Sequence, residues 1–365
     1  MKIVIESDAQ FNPWKEFSKI LRNGRNSRLE DQLNVQSEIF QYSVDVGASI
    51  LIHDGDLFEA LTEKIDKTTF LAVYNLFVDF SEKGIIVVLN VGNHDWIDHT
   101  ETKNIIEPFR EIKNVIVVDK PHVEIIGDVS LSFVPSTRTD FQKKVKGVLY
   151  AKNESERLLR PEGVLKKEYL FTHQDVTGAK SGPRDMPLKF KYSVDDFCPN
   201  DFDLVFNGHF HKPQWLKDNF VIIGSPIQKD FGERADAKGF WFLDTDEAPK
   251  NPKFIETNAP RFYKIEISKE EFASKGLTDR LPKGYVKDRD FLWVLTDSTR
   301  ISESPLISEN VRIEVQEEDE FKLRSDISIN MAIEDQIASY VKMKENDLDI
   351  MTLVQMGIDK WKRSR

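Results

Sequence analysis

Five short stretches carry side chains suited to holding metal ions and moving protons: Asp8-Ala9-Gln10, Gly55-Asp56, Gly92-Asn93-His94-Asp95, His173 and Gly208-His209-Phe210-His211. They contain four of the chain's seven histidines, a concentration that chance would not produce. Their donors are carboxylate and amide oxygens and imidazole nitrogens, with no thiolate. Such a set suits Mn²⁺, Mg²⁺, Fe²⁺ or Zn²⁺, and a mixed shell rich in carboxylate favours Mn²⁺, with Mg²⁺ as the alternative. His209 and His211 are two apart on an extended segment, so both face one side while Phe210 turns away. Asp8 and Gln10 repeat that spacing. Gly55, Gly92 and Gly208 permit tight turns or a close backbone approach beside a ligand. The donors outnumber what one ion can take, so two divalent ions sharing a bridging carboxylate is the economical reading.

Each motif follows an apolar run that reads as a strand, at 2–6, 49–53, 85–91, 168–172 and 203–206. Strand ends are where ligands bind in α/β sheets, because the loops there converge on a crevice. Further strands are expected at 115–118, 129–134, 220–223 and 239–243. Helices are expected at 29–46 and 66–83, the second with Phe70, Val73, Phe77 and Phe80 close to helical spacing. The alternation predicts a layered α/β domain over residues 1–260. Residues 261–324 read as a small α+β unit, with strands at 261–267, 291–296 and 310–315 and a helix at 269–275. Residues 325–365 read as a helical tail. Ile333 and Ile337 lie in one apolar stripe at helical spacing, and Val354 and Trp361 in a second. Two such stripes need a surface to bury against, so these four residues are candidates for binding a partner.

A chain of 365 residues predicts two to three domains, and 40% hydrophobic residues exclude a disordered one. The single Cys198 excludes an intramolecular disulfide and a thiolate cluster, so a reducing, cytoplasmic setting is expected. Glu6 and Asp8 interrupt the opening apolar run before a signal peptide could form, and the run 85–89 is far short of a membrane span. No membrane association is expected. The net charge of −11 does not give the basic face of a typical nucleic-acid binder. Bound divalent cations can reverse the local sign, so composition leaves the substrate open. His53, His99 and His122 lie outside the motifs and are expected to be structural or solvated. Lys143, Lys144 and Lys146 read as a solvated face.

The order and spacing of the five motifs resemble the calcineurin-like metallophosphoesterases over residues 8–211. Gly55-Asp56-Leu57-Phe58, and the Asp95 that ends the third motif, are similar to the SbcD-type DNA nucleases, which partner an SbcC-type ATPase with a long coiled coil. Gly224-Ser225-Pro226, with Phe231 and Glu233 following, resembles the same group's stretch after the last metal motif. The resemblance implies a layered phosphoesterase sandwich at 1–260, a DNA-capping domain at 261–324 and an ATPase-binding tail at 325–365. It implies that Asp8 and His211 hold one ion, that Asn93, His173 and His209 hold the other, and that Asp56 bridges them. His94 would be no ligand but would act near the leaving oxygen. Gln10 stands where the family has histidine; an amide oxygen still coordinates a hard cation but donates less than imidazole, so a weaker first site is expected.

The activity so implied is metal-dependent exonuclease, and also endonuclease, cleavage of DNA in end processing, repair or recombination. The partners implied are DNA, the coiled-coil ATPase and a second copy of this chain. Two alternatives stay open. One is a protein or cyclic-nucleotide phosphatase on the same scaffold; Asp95 and Phe58-Glu59-Ala60 argue against the protein phosphatase. The other is a non-catalytic DNA-end-binding subunit, suggested by Gln10.

Overall fold

The computed structural model describes residues 1–60, 64–159, 167–182, 186–297, 304, 308–315, 354–356, 358 and 360. In chain order, β1 (Lys2–Glu6), β2 (Ile50–Asp54), β3 (Ile86–Asn90) and β4 (Val115–Val118) pair in parallel. β5 (His122–Ile126), β6 (Val129–Val134) and β7 (Lys167–Thr172) begin a second sheet. A two-stranded ribbon of β8 (Lys180–Ser181) and β9 (Met186–Pro187) precedes β10 (Leu204–Asn207), β11 (Gln214–Lys217) and β12 (Phe220–Ile222) of that sheet. β13 (Gly239–Asp244) returns to lie antiparallel to β1, and β14 (Lys253–Glu256) closes the edge. The two six-stranded sheets have the orders β14-β13-β1-β2-β3-β4 and β11-β12-β10-β7-β6-β5.

Side-chain alternation stacks these sheets. Ile3, Ile5, Ile50 and Ile52 share one buried cluster with Leu131, Phe133, Phe171 and Phe206 of the second sheet. Val4, Leu51, Val87 and Leu89 pack instead with residues of α1 (Ser27–Asp45) and α2 (Lys67–Ser81). Asn26 caps α1 through the N–H groups of Arg28 and Leu29, and Asp66 caps α2 through those of Thr68 and Thr69. Phe40 of α1 and Phe80 of α2 stack with ring centroids 3.9 Å apart. On the far face, Phe141, Val145 and Val148 of α3 (Phe141–Leu159) cover Leu170 and Val205. The architecture is a helix–sheet–sheet–helix sandwich, a layered α/β fold. Each large apolar side chain buried in it contributes on the order of 1.5–3 kcal/mol.

Each expected strand is present to within about a residue, whereas β5, β8, β9, β11 and β14 were not expected. α3 was not expected, because its apolar stripe is narrow and its Lys143 and Lys146 are exposed, as a solvated face would be. β5 and β11 also carried little signal, since both are sheet edges with no fully buried position. Beyond the sandwich, β15 (Phe262–Ile267), β16 (Phe291–Thr296) and β17 (Val311–Val315) form a parallel three-stranded sheet, with α4 (Lys269–Lys275) between the first two. Phe231, Phe262 and Phe291, with Phe17 and Trp293, make the apolar joint between this sheet and the sandwich. The buried guanidinium of Arg28 lies over Trp14, Phe262 and Phe291 at the same joint.

Val354 lies in a helical stretch at 354–356, whereas Ile333, Ile337 and Trp361 fall outside the described residues. Among the described residues no helix is long and apolar enough to cross a membrane.

Candidate metal centre

The first sheet delivers Asp8, Asp56, Asn93 and His94 from the loops after β1, β2 and β3. The second delivers His173, His209 and His211 from the loops after β7 and β10. All five loops leave the C-terminal ends of parallel strands, so stacking the two sheets brings them together. The chain bends sharply there. Among the described residues, Asp8, Gln10, Asp56 and His209 hold left-handed backbones, with φ of 57°, 45°, 57° and 79°. Non-glycine residues take that region at a cost, and such strain persists where the surroundings over-determine it.

Those surroundings are a set of specific hydrogen bonds. Asp8 N–H donates to Gly55 O and Gln10 N–H to Asp56 O, both at 3.0 Å, tying the first two loops together. The buried Asp95 carboxylate accepts from the N–H groups of Asp56, Gly92 and Phe58 at 2.9, 2.9 and 3.2 Å. Burial, and then the nearby Asp56 charge, push the Asp95 carboxyl up to about 7. Glycines fill the gaps between loops. A Cβ on Gly92 would overlap Asp56, and one on Gly55 or Gly208 would overlap the His173 ring.

The hydrogen bonds also decide which atoms face inward. Asp8 Oδ2 accepts from the Ser7 hydroxyl at 2.6 Å and from His209 N–H at 3.0 Å. Its buried Oδ1 has no hydrogen-bond partner and lies 4.0 Å from His173 Nε2 and 3.8 Å from His211 Nε2. His173 Nδ1 lies 2.6 Å from Asp54 O, and His211 Nδ1 lies 2.6 Å from Glu233 Oε1. Each histidine therefore turns Nε2 toward the carboxylates, the arrangement in which a second partner fixes the tautomer of a metal ligand. His173 Nε2 is buried, makes no hydrogen bond and stands 3.2 Å from Asp56 Oδ2. Donor atoms of Asp56, His173 and His209 all lie within 4.8 Å of one another. Asn93 Oδ1 is 2.8 Å from His209 Nδ1, and Asp175 Oδ1 is 2.8 Å from His209 Nε2.

These observations fit a divalent cation. Two buried donors lack hydrogen-bond partners, the donors are hard oxygens and imidazoles, and glycines keep the loops close enough to converge. Electrostatics agree. Burial opposes the Asp56 charge, yet the facing His173 and His94 hold that carboxyl below its ordinary range. Burial opposes a charge on His173, while Asp56 and Asp8 raise its pKa to about 10. This negative pocket stabilises positive charge placed within it.

His94 stands beside the cluster. Its backbone N–H donates to Asp56 Oδ1 at 2.7 Å, its Nδ1 lies 2.7 Å from Glu59 Oε1, and its Nε2 lies 3.9 Å from Asp56 Oδ2. Burial would lower the His94 pKa, but the Glu59 hydrogen bond and the charges of Asp56 and Glu59 raise it. Gln10 Oε1 accepts from Lys229 Nζ at 3.3 Å. Of the other histidines, His53 is buried, while His122 pairs with Glu124 and His99 is exposed beside Arg138.

Sequence reasoning assigned no role here to Ser7, Glu59, Asp175 or Lys229. Glu59 and Asp175 carried a faint signal, lying three residues after Asp56 and two after His173. Lys229 carried none.

The profile of the family described as calcineurin-like phosphoesterase matches residues 1–213. The chain is 29% identical over 147 residues to a putative phosphoesterase of Invertebrate iridescent virus 3, a match covering 39% of this chain and 38% of that protein. It is 26% identical over 275 residues to the SbcD component of the nuclease SbcCD from Staphylococcus saprophyticus, covering 70% of this chain and 68% of that one. Among solved structures, a dimetal phosphatase from Danio rerio aligns with a TM-score of 0.41 at 6% identity, covering 66% of this chain and 91% of that chain.

Proposed function

The chain belongs to the calcineurin-like phosphoesterases, and from that membership we propose that it is a metal-dependent DNA nuclease subunit that hydrolyses phosphodiester bonds. The observation that carries the reading is the convergence of strand-end carboxylates and imidazoles on one point, where Asp8 Oδ1 is buried without a hydrogen-bond partner and His173 Nε2 faces Asp56 Oδ2 at 3.2 Å, with His94 beside them. The similarity to a component of the SbcCD nuclease runs over a longer stretch than the phosphoesterase match, which supports DNA as the substrate.

Asp8, Gln10 and His211 would hold one ion, Asn93, His173 and His209 the other, with Asp56 shared between them. Divalent ions bound there would neutralise phosphate charge and lower the pKa of the attacking water. The chain's own residues do the rest. Ser7 and the His209 N–H orient Asp8, and Asp54 O and Glu233 orient His173 and His211. Glu59 holds His94 Nδ1, which leaves Nε2 to carry a proton to the departing sugar oxygen. The hydrogen bond to Glu59 and the charges of Asp56 and Glu59 favour the protonated ring, the form a general acid needs.

The remaining assignments extend this reading. Residues 261–324 would cap the DNA, and the tail bearing Ile333, Ile337, Val354 and Trp361 would dock on a coiled-coil ATPase. Two copies of the chain would act in one cytoplasmic complex. A chain cut near Leu323 should keep its metal and lose the ATPase in a pull-down; an insoluble product would place the tail in the chain's own core.

The experiment for the activity offers purified protein with Mn²⁺ both linear DNA and a phosphoprotein, with and without the ATPase. DNA should be degraded, and chelator should stop it. Dephosphorylation of the protein with intact DNA would overturn the nuclease reading and leave the phosphoesterase class standing.

A further inference from the structure

Lys229 brings a fixed positive charge to the edge of the cluster. Its Nζ donates to Glu59 Oε2 at 2.8 Å and to Gln10 Oε1 at 3.3 Å. The other oxygen of the same carboxylate holds His94 Nδ1, so the ammonium and the imidazole sit side by side on one group. An ammonium has three N–H donors. Two are engaged, and the side chain is still 34% exposed, which leaves one donor for a ligand.

The backbone behind this ammonium is pinned on several sides. Lys229 N–H donates to Glu233 Oε2 at 2.9 Å, and its carbonyl accepts from the buried Arg28 guanidinium at 3.1 Å. The preceding side chain, Gln228, accepts from Phe262 N–H of β15 at 2.7 Å and donates to the carbonyls of Glu233 and Asp236. Phe231, two residues on, is buried against Phe17, Phe262 and Trp293. The three-stranded sheet thus helps to fix where Lys229 stands. Most surface lysines lose considerable rotamer entropy when they order around a ligand; this one is already placed.

We propose that Lys229 is a phosphate-binding residue of this site: its remaining N–H donor takes a non-bridging oxygen of the substrate phosphate on the Gln10 and His94 side. The proposal rests on the phosphodiesterase reading above. Charge-assisted hydrogen bonds to phosphate are short and strong, so the loss should appear in substrate and product affinity.

The test compares the full wild-type chain, loaded with Mn²⁺, with Lys229→Met, Lys229→Gln and Lys229→Arg. Bis(p-nitrophenyl) phosphate serves as substrate and inorganic phosphate as the binding probe, with Mn²⁺ stoichiometry and thermal melting measured alongside. In the Met and Gln variants, phosphate affinity should fall and KM should rise by about 10- to 100-fold. The kcat should stay within about threefold, the Mn²⁺ stoichiometry should be unchanged, and Arg should restore most of the affinity. Glutamine can still donate to Glu59, so it decides the matter if methionine unsettles the fold. Unchanged phosphate affinity in the Gln variant overturns the proposal. So does a lower kcat with a shifted pH profile and constant KM, which would make Lys229 a support for Glu59 and His94 alone. A wild-type chain that cleaves the small diester but not DNA overturns the DNA reading and leaves this inference intact.

Discussion

His173 Nε2 stands 3.2 Å from Asp56 Oδ2, although the two side chains hang from different sheets, one after β7 and the other after β2. Their meeting depends on the apolar layer between the sheets, where Ile50 and Ile52 pack with Phe171 and Phe206. The stacking that makes the core also assembles the candidate metal centre.

Asp56 is the carboxylate on which the cluster closes. Asp56→Ala removes the negative charge facing His173 and His94, so two cations would lose their shared ligand. Metal content and phosphodiesterase activity should both fall, as read by elemental analysis and a chromogenic diester. Full metal content in this variant would show that Asp56 is not the bridge.

His94 should separate chemistry from metal binding. His94→Ala should keep its metal and lose about 10²–10⁴-fold in kcat. The pH dependence has a definite sign. Burial opposes the protonated ring, but Glu59 and Asp56 raise its pKa above the ordinary 6.5. Activity that needs the Nε2 proton is full below that raised pKa and declines as pH rises through it. Glu59→Gln removes the raising partner, so the alkaline decline should move to lower pH. A profile that does not move would exclude His94 as the acid.

Gly92 tests the packing of the loops. A Cβ there would overlap the Asp56 carboxylate, held by His94 N–H, and the Asp56 backbone nitrogen, held by Asp95. Gly92→Ala should lower the melting temperature and reduce metal content together. Native metal content with a lowered melting temperature would show that the loops adjust without moving Asp56.

Gln10 is expected to set the balance between two bound ions. Its amide oxygen donates less to a transition metal than imidazole and already faces the Lys229 ammonium. Mn²⁺ titration by calorimetry should resolve a tight site and a weaker one, and Gln10→His should tighten the weaker. Two equally tight sites in the wild-type chain would refute the asymmetry.

Much of this was legible in the sequence because the site-bearing strands are largely buried on both faces and read as apolar runs that end at the site motifs. The partners of those motifs were not legible. Lys229 meets Glu59 across 170 positions, and His173 meets Asp54 O across 119, contacts that no local pattern encodes. The same holds for the joint between sandwich and small sheet, where Arg28 at the start of α1 reaches the carbonyls of Gln228 and Lys229. α3 carries little sequence signal because its buried stripe, Phe141, Val145, Val148 and Lys152, has only three apolar members and ends in a lysine.

The central claim is that the strand-end cluster is a centre for two divalent ions, and anomalous diffraction at the manganese edge from crystals loaded with Mn²⁺ tests it directly. The account predicts one peak held by Asp56, Asn93, His173 and His209, and a second held by Asp8, Gln10, Asp56 and His211, both removed by chelator. Manganese bound elsewhere, with His173 Nε2 and Asp56 still facing each other directly, would contradict it.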